Sequence, residues 1–142
     1  MNMSVKQISV FVENKKGKLA EITRYIANNN VNVRSLSIAD TPDFGILRII
    51  CENTGEAEEA LKNGGYITTI TDVLAVQMSD KPGSIAEILE VLSEADIAVE
   101  YTYAFISAKG EAYLIFRVDD NQSAAAVLAG AGFKTAGQKE LF

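Results

Sequence analysis

Two short stretches carry residue types that could hold a small anion. Asn14-Lys15-Lys16-Gly17 and Asp80-Lys81-Pro82-Gly83 each combine a short polar side chain, a lysine and a glycine. Each precedes apolar residues at helical spacing: Leu19, Ile22 and Ile26 after the first, and Ile85, Ile88, Leu89 and Leu92 after the second. Glycine can adopt φ > 0 and lets a bound group approach the backbone closely. The N–H groups at Gly83, Ser84 and Ile85 would then face outward at a helix start, where the dipole favours a carboxylate. Asp80, or the amide oxygen of Asn14, could accept hydrogen bonds from an ammonium group.

The two stretches are one motif used twice. Lys15/Lys81, Gly17/Gly83, Ala20/Ala86, Glu21/Glu87 and Ile22/Ile88 are identical pairs, each 66 residues apart. An internal repeat of this length governs the fold. In the first copy, Gln7–Val12 alternates as a strand and Asn28-Asn29-Asn30 closes the helix. Val31–Ala39 reads as a strand, broken at Asp40-Thr41-Pro42-Asp43. Gly45–Glu52 is a third strand, Glu56–Lys62 a short helix stopped by Asn63-Gly64-Gly65, and Ile67–Thr71 a fourth strand. The second copy repeats the order. Val73–Met78, Ile97–Ile106 and Glu111–Val118 read as strands, with a tight hairpin at Lys109-Gly110. Ser123–Ala129 is an Ala-rich helix, and a last strand is expected from Phe133 onward. After the hairpin the offset becomes 67, as in Gly65/Gly132 and Tyr66/Phe133. Each copy is β-α-β-β-α-β, which builds a four-stranded antiparallel sheet with both helices on one face. The expected fold class is therefore α+β, with two tandem ferredoxin-like modules at residues 1–71 and 72–142.

Composition removes several functions. With 13 Lys plus Arg against 19 Asp plus Glu, the net charge of −6 repels phosphate backbones, so no nucleic-acid partner is expected. There is no histidine, which excludes imidazole metal sites and His-based catalysis. One cysteine allows no internal disulfide and fits a cytoplasmic protein. The apolar runs are strand-sized and the first residues lack a basic-then-apolar pattern, so neither a membrane span nor a signal peptide is expected. Among ferredoxin-like families, a copper carrier would need two close cysteines. An RNA-recognition module would need basic charge, and an acylphosphatase-like enzyme an arginine in the first loop. Neither loop contains one, and Arg24 falls well inside the first helix.

What remains is a strand, the Gly turn, an amphipathic helix, and then Val31-Asn32-Val33 or Ile97-Ala98-Val99. This pattern resembles the ACT domain, a small regulatory module of amino-acid-metabolism enzymes. Asp80-Lys81-Pro82-Gly83 is a close match to its Asp-x-Pro-Gly turn, while Asn14-Lys15-Lys16-Gly17 lacks the proline. The resemblance spans nearly the whole chain and implies a stand-alone ACT pair with no enzyme attached. It implies a non-catalytic, allosteric sensor that binds an amino acid near the module interface and needs no cofactor or metal. The implied contacts are Asn14, Lys15, Gly17, Lys18 and Leu19 at one turn and Asp80, Lys81, Pro82, Gly83, Ser84 and Ile85 at the other. A second module would supply the rest of the pocket from its second strand and lead-in: Asn32, Val33 and Ser35 of one repeat, and Val99, Glu100 and Tyr101 of the other. A homodimer and a metabolic-enzyme partner are also expected. The alternative is a docking module without its own ligand, like the small subunit of acetolactate synthase.

Each of these residues also has a plainer role. Gly17 and Gly83 serve the turn in any case, Pro82 stiffens it, and Asp80 and Asn14 could simply cap the helices. The lysines could be solvated charges, and Asn32 could bond only local backbone. Tyr101, Tyr103 and Phe105 share one strand face, and their counterparts in the first copy, Ser35, Ser37 and Ala39, are smaller. They either fill space or wall a pocket for an apolar side chain.

Overall fold

The computed structural model describes residues 4–40 and 44–142. The first three residues and the break expected at Thr41-Pro42-Asp43 lie outside them. In order the elements are β1 (Ser4–Glu13), α1 (Lys18–Asn28), β2 (Val33–Asp40), β3 (Phe44–Cys51), α2 (Thr54–Asn63) and β4 (Thr68–Gln77). Then come α3 (Ser84–Glu94), β5 (Tyr101–Ile106), β6 (Ala112–Arg117), α4 (Asn121–Gly130), β7 (Thr135–Ala136) and a closing 3-10 turn, Gln138–Leu141.

The chain divides into two units, Lys6–Thr71 and Asp72–Phe142, and Ser4 and Val5 join the latter. In the first unit β1 pairs antiparallel with β3, and β3 with β2, placing Val10 opposite Leu47 and Leu47 opposite Ile38. The Phe11 N–H donates to the Ile67 carbonyl at 3.1 Å, so the chain entering β4 runs beside β1. Strand alternation turns Ile8, Val10, Leu47, Ile49 and Cys51 to one side, where they meet Ile22 and Ile26 of α1 and Ala57 and Leu61 of α2. In the second unit β4 lies between β7 and β6, with β5 outside β6. Leu74, Val76, Leu114, Phe116 and Val118 meet Ile88 and Leu92 of α3 and Ala124 and Leu128 of α4. Both units are α+β, with antiparallel strands and helices on one face, as the repeat implies.

The equivalence reaches single residues. Gly17 and Gly83 have φ of 88° and 90°, Gly65 and Gly132 have 85° and 91°, and Asn30 and Asp96 have 58° and 61°. Asn53 caps α2 by accepting from the Glu56 N–H at 3.1 Å, and Asp120 caps α4 by accepting from the Ser123 N–H at 3.2 Å. Asn121, the first residue of α4, donates to the Ser4 hydroxyl and to the Asp72 carbonyl, which ties the chain start into the second unit.

Four expectations change. The strands read at Ile67–Thr71 and Val73–Met78 are one strand, β4, because exposed Asp72 sits on a solvent-facing position without breaking the pairing. The strand read at Ile97–Ile106 begins only at Tyr101, since Ile97 and Val99 pack into the second core from a non-strand lead-in. The last strand is two residues long. Beyond it Glu140 accepts from the Gly137 N–H at 3.2 Å and starts the 3-10 turn, which buries Leu141 and sets the Phe142 ring edge-on to Phe105. Finally, Leu19 and Ile85 lie at the edge of their helical stripes and are 40% and 45% exposed.

One difference between the copies predicts a mutational coupling. A Cβ on Gly64 would fall 2.5 Å from the Tyr25 ring, whose hydroxyl donates to the Ala60 carbonyl. At the equivalent positions the second copy has Ala131 and the smaller Val91. Gly64→Ala should therefore destabilise by about 1–3 kcal/mol, the usual cost of overpacking. In a Tyr25→Val background the same change should cost much less, as a double-mutant cycle by urea unfolding would measure. A second prediction concerns alkaline pH. Burial, helped by the Tyr113 hydroxyl donating to Glu111 at 2.7 Å, pushes the Tyr113 phenol from 10 up to about 12. Its raised value means that its stabilising contribution is complete below the unfolded value and lost as pH climbs through about 12. Tyr113→Phe should flatten that part of the pH–stability curve, measured by chemical unfolding between pH 9 and pH 12.

Candidate functional site

The two turns are built alike. Gly17 and Gly83 occupy the N-cap positions of α1 and α3 in the left-handed region, and no side chain caps either helix. Asn14 and Asp80 therefore do not occupy the N-cap positions, which glycine takes. The turn also consumes one of the N–H groups expected to face a ligand. The Ser84 N–H donates to the Lys81 carbonyl at 3.3 Å, and the Lys18 N–H to the Lys15 carbonyl at 3.1 Å.

Beside each turn lies a cleft. In the first unit Phe11, Val12 and Glu13 at the end of β1, Lys18 and Glu21 of α1, and Gly65, Tyr66 and Ile67 enclose about 230 Å³. In the second unit Gln77, Met78, Ser79, Lys81, Ser84, Glu87, Gly132, Phe133 and Lys134 enclose about 330 Å³. Nearly every wall residue has its repeat partner in the other cleft. Glu21 corresponds to Glu87, Gly65 to Gly132, Tyr66 to Phe133 and Ile67 to Lys134. The positive φ of Gly65 and Gly132 turns the chain so that the next two residues form the third wall.

The charges differ. In the first cleft Lys18 pairs with Glu21 at 3.4 Å, and Glu13 with Lys15 at 3.0 Å. The Lys15 hydrogen bond and charge, with a smaller effect of Lys18, hold the Glu13 carboxyl below its ordinary range. Burial, then the Glu21 charge, pushes the Tyr66 phenol up. In the second cleft the Ser84 hydroxyl, on a residue only 6% exposed, accepts from the Ser79 N–H at 3.0 Å.

Of the residues singled out from sequence, Lys18, Lys81 and Ser84 line the clefts. Asn14, Lys15, Gly17, Asp80, Pro82 and Gly83 form the exposed turns beside them, and Leu19 and Ile85 stand exposed one residue beyond Lys18 and Ser84. Within its own unit, neither cleft is lined by the second-strand group. Val33 and Val99 pack against the two cores, and Asn32 is exposed before β2. Within the second unit, Gly83 and the Val99–Tyr101 lead-in flank opposite ends of the 11-residue helix α3. That is about 16 Å of helix, so one small molecule cannot touch both there. Phe105 is buried against Tyr113 and Phe142, and neither cleft uses Tyr101 or Tyr103.

A larger cavity of about 540 Å³ lies at the far end of α3 and is lined by Asp96, Glu100, Asp119 and Asp120 among others. Two of these carboxylates are already engaged. Glu100 accepts from Arg117 at 2.6 Å, and Asp120 caps α4 and also accepts from the Ser123 hydroxyl at 2.8 Å. Sequence reading missed the third wall of each cleft, although the repeat marked it: Gly65/Gly132 and Tyr66/Phe133 are aligned pairs, and Glu21/Glu87 is identical.

Among the described residues no helix is long and apolar enough to cross a membrane. No curated protein sequence matches the chain. A solved protein from Bacteroides thetaiotaomicron is 34% identical, with a TM-score of 0.88, over 98% of this chain and 96% of that one. The ligand-free regulatory subunit of aspartate kinase from Thermus thermophilus shares the fold, with 14% identity and a TM-score of 0.63, over 92% and 93% of the two chains. The corresponding subunit from Thermus flavus has the same TM-score and identity, over 92% and 94%. The family model for the ACT domain pair matches residues 3–141. With a glycine turn and a matching cleft in each half, the chain belongs to the ACT domain pair family.

Proposed function

We propose that this chain is a non-catalytic cytoplasmic sensor that binds a small amino acid or related metabolite beside its strand-to-helix turns and thereby regulates amino-acid metabolism. The observation that carries this reading is the recurrence of one cleft, with the same three walls, in both units. Their volumes, about 230 and 330 Å³, lie at the small end of ligand pockets and suit a molecule of amino-acid size. Each cleft offers at least one lysine and one glutamate, the pair that a zwitterion's carboxylate and ammonium require. The family and the fold shared with an aspartate kinase regulatory subunit support a regulatory role. The sequence offers no histidine, and burial pushes the single thiol, Cys51, up to about 11, well away from nucleophilic character at neutral pH.

A thermal-shift screen against the twenty amino acids and a few keto acids tests this. A ligand at a hundred times its dissociation constant adds ~2.7 kcal/mol. For one cooperative unit of this size that is about 5–10 °C in melting temperature. A selective shift, with amide NMR changes at Gly83, Ser84 and Gly132, is the expected result. A flat screen would sink the reading.

A second reading is favoured by one specific feature. Edge strand β2 pairs only with β3 among the described residues, and its Leu36 and Ile38 are 46% and 43% exposed. Such an edge can pair with another chain, either a second copy of this protein or a metabolic enzyme that it regulates. Leu36→Lys should abolish self-association or partner capture without lowering the melting temperature, as light scattering and co-purification would show.

A further inference from the structure

The two clefts share a backbone and differ in charge. Lys18 against Glu13 and Glu21 leaves the first with one net negative charge, and those side chains already pair within the protein. In the second, serines 79 and 84 stand where the first has Glu13 and Lys18, and Lys134 stands where the first has Ile67. Lys81 and Lys134 against Glu87 leave one net positive charge, and none of the three forms an ion pair among the described residues. Ser84 is deeply buried and its hydroxyl accepts from the Ser79 N–H, so its own proton remains to be donated. Cleft two thus presents two cations, a hydroxyl donor and one carboxylate, with Phe133 as its aromatic wall.

We propose that the second-repeat cleft selects an amino acid with an acidic side chain. Its two carboxylates would be met by Lys81 and Lys134 and its ammonium by Glu87, whereas the first cleft, net negative and with its charges already paired, does not share this preference. The inference rests on the amino-acid reading above and adds the ligand's chemical class and its location. It follows from matching charge to charge: a neutral amino acid leaves one lysine uncompensated, and a plain dicarboxylate leaves Glu87 without its cation.

The test is a titration of the full chain, followed by amide NMR and calorimetry, with L-glutamate, L-aspartate, L-glutamine, glutarate and inorganic phosphate. Glutamate or aspartate should move the Ser79, Ser84 and Gly132 amides. Glutamine and glutarate should each bind about tenfold or more weakly, as loss of one charge-assisted contact implies. Lys134→Gln and Glu87→Gln, both changes of exposed side chains, should each weaken glutamate binding by a similar factor. Lys109→Gln, the same charge change in the β5–β6 hairpin, should leave it unaltered. Equal affinity for glutamine, phosphate binding as tight as glutamate, or indifference to Lys134→Gln would overturn the proposal. If a neutral or basic amino acid moves these amides instead, the charge assignment falls while the sensor reading stands. If no amino acid moves the amides of either cleft, both fall.

Discussion

A single backbone requirement organises each repeat: one residue at φ near +90° between a strand and a helix. A side-chain-bearing residue pays a steric penalty there, so Gly17 and Gly83 hold the position. Because the glycine is itself the N-cap, the helix starts without a capping side chain and its first turn lies against the end of the strand. Ile22 and Ile26, or Ile88 and Leu92, then fall onto the sheet, and the next residues toward the turn fall beside the cleft. Core and cleft are therefore two faces of one helix placement.

The duplication was legible from identical residues at fixed spacing, and with it the fold class. Periodicity and composition located the four α-helices among the described residues, while the closing 3-10 turn falls where the sequence reads as strand. Periodicity could not tell which residue marks the edge of an apolar stripe, so Leu19 and Ile85 read as interior although they are exposed. Polar Asp72 looked like a boundary between strands, yet a strand tolerates a polar residue on its open face. The turns were visible as local strings. The third wall of each cleft was not, because Gly65–Ile67 and Gly132–Lys134 are distant in sequence from the turns they adjoin and carry no motif of their own. Val33 and Val99, partly buried against their own cores, have packing roles that the family pattern did not announce.

The two copies also show how a repeat diverges without losing its shape. Backbone features recur in matched pairs: six of the seven positive-φ positions among the described residues, Gly110 being the exception, the caps at Asn53 and Asp120, and the glycine-led loops. Side chains change in compensating groups. Tyr25 with Gly64 becomes Val91 with Ala131, one volume exchanged for another. The cleft walls change sign through only a few positions. Backbone geometry thus sets where a molecule can sit, and a handful of side chains sets which molecule is welcome.

The tether from Asn121 to Ser4 and to the Asp72 carbonyl has a consequence for how the halves could be separated. Buried Val5 also belongs with the second half, although the rest of β1 belongs with the first. A gene cut between codons 71 and 72 would therefore free a second half missing part of its own surface. The repeat boundary in the sequence and the boundary of the folded units therefore do not coincide, because Ser4 and Val5 pack with the second unit.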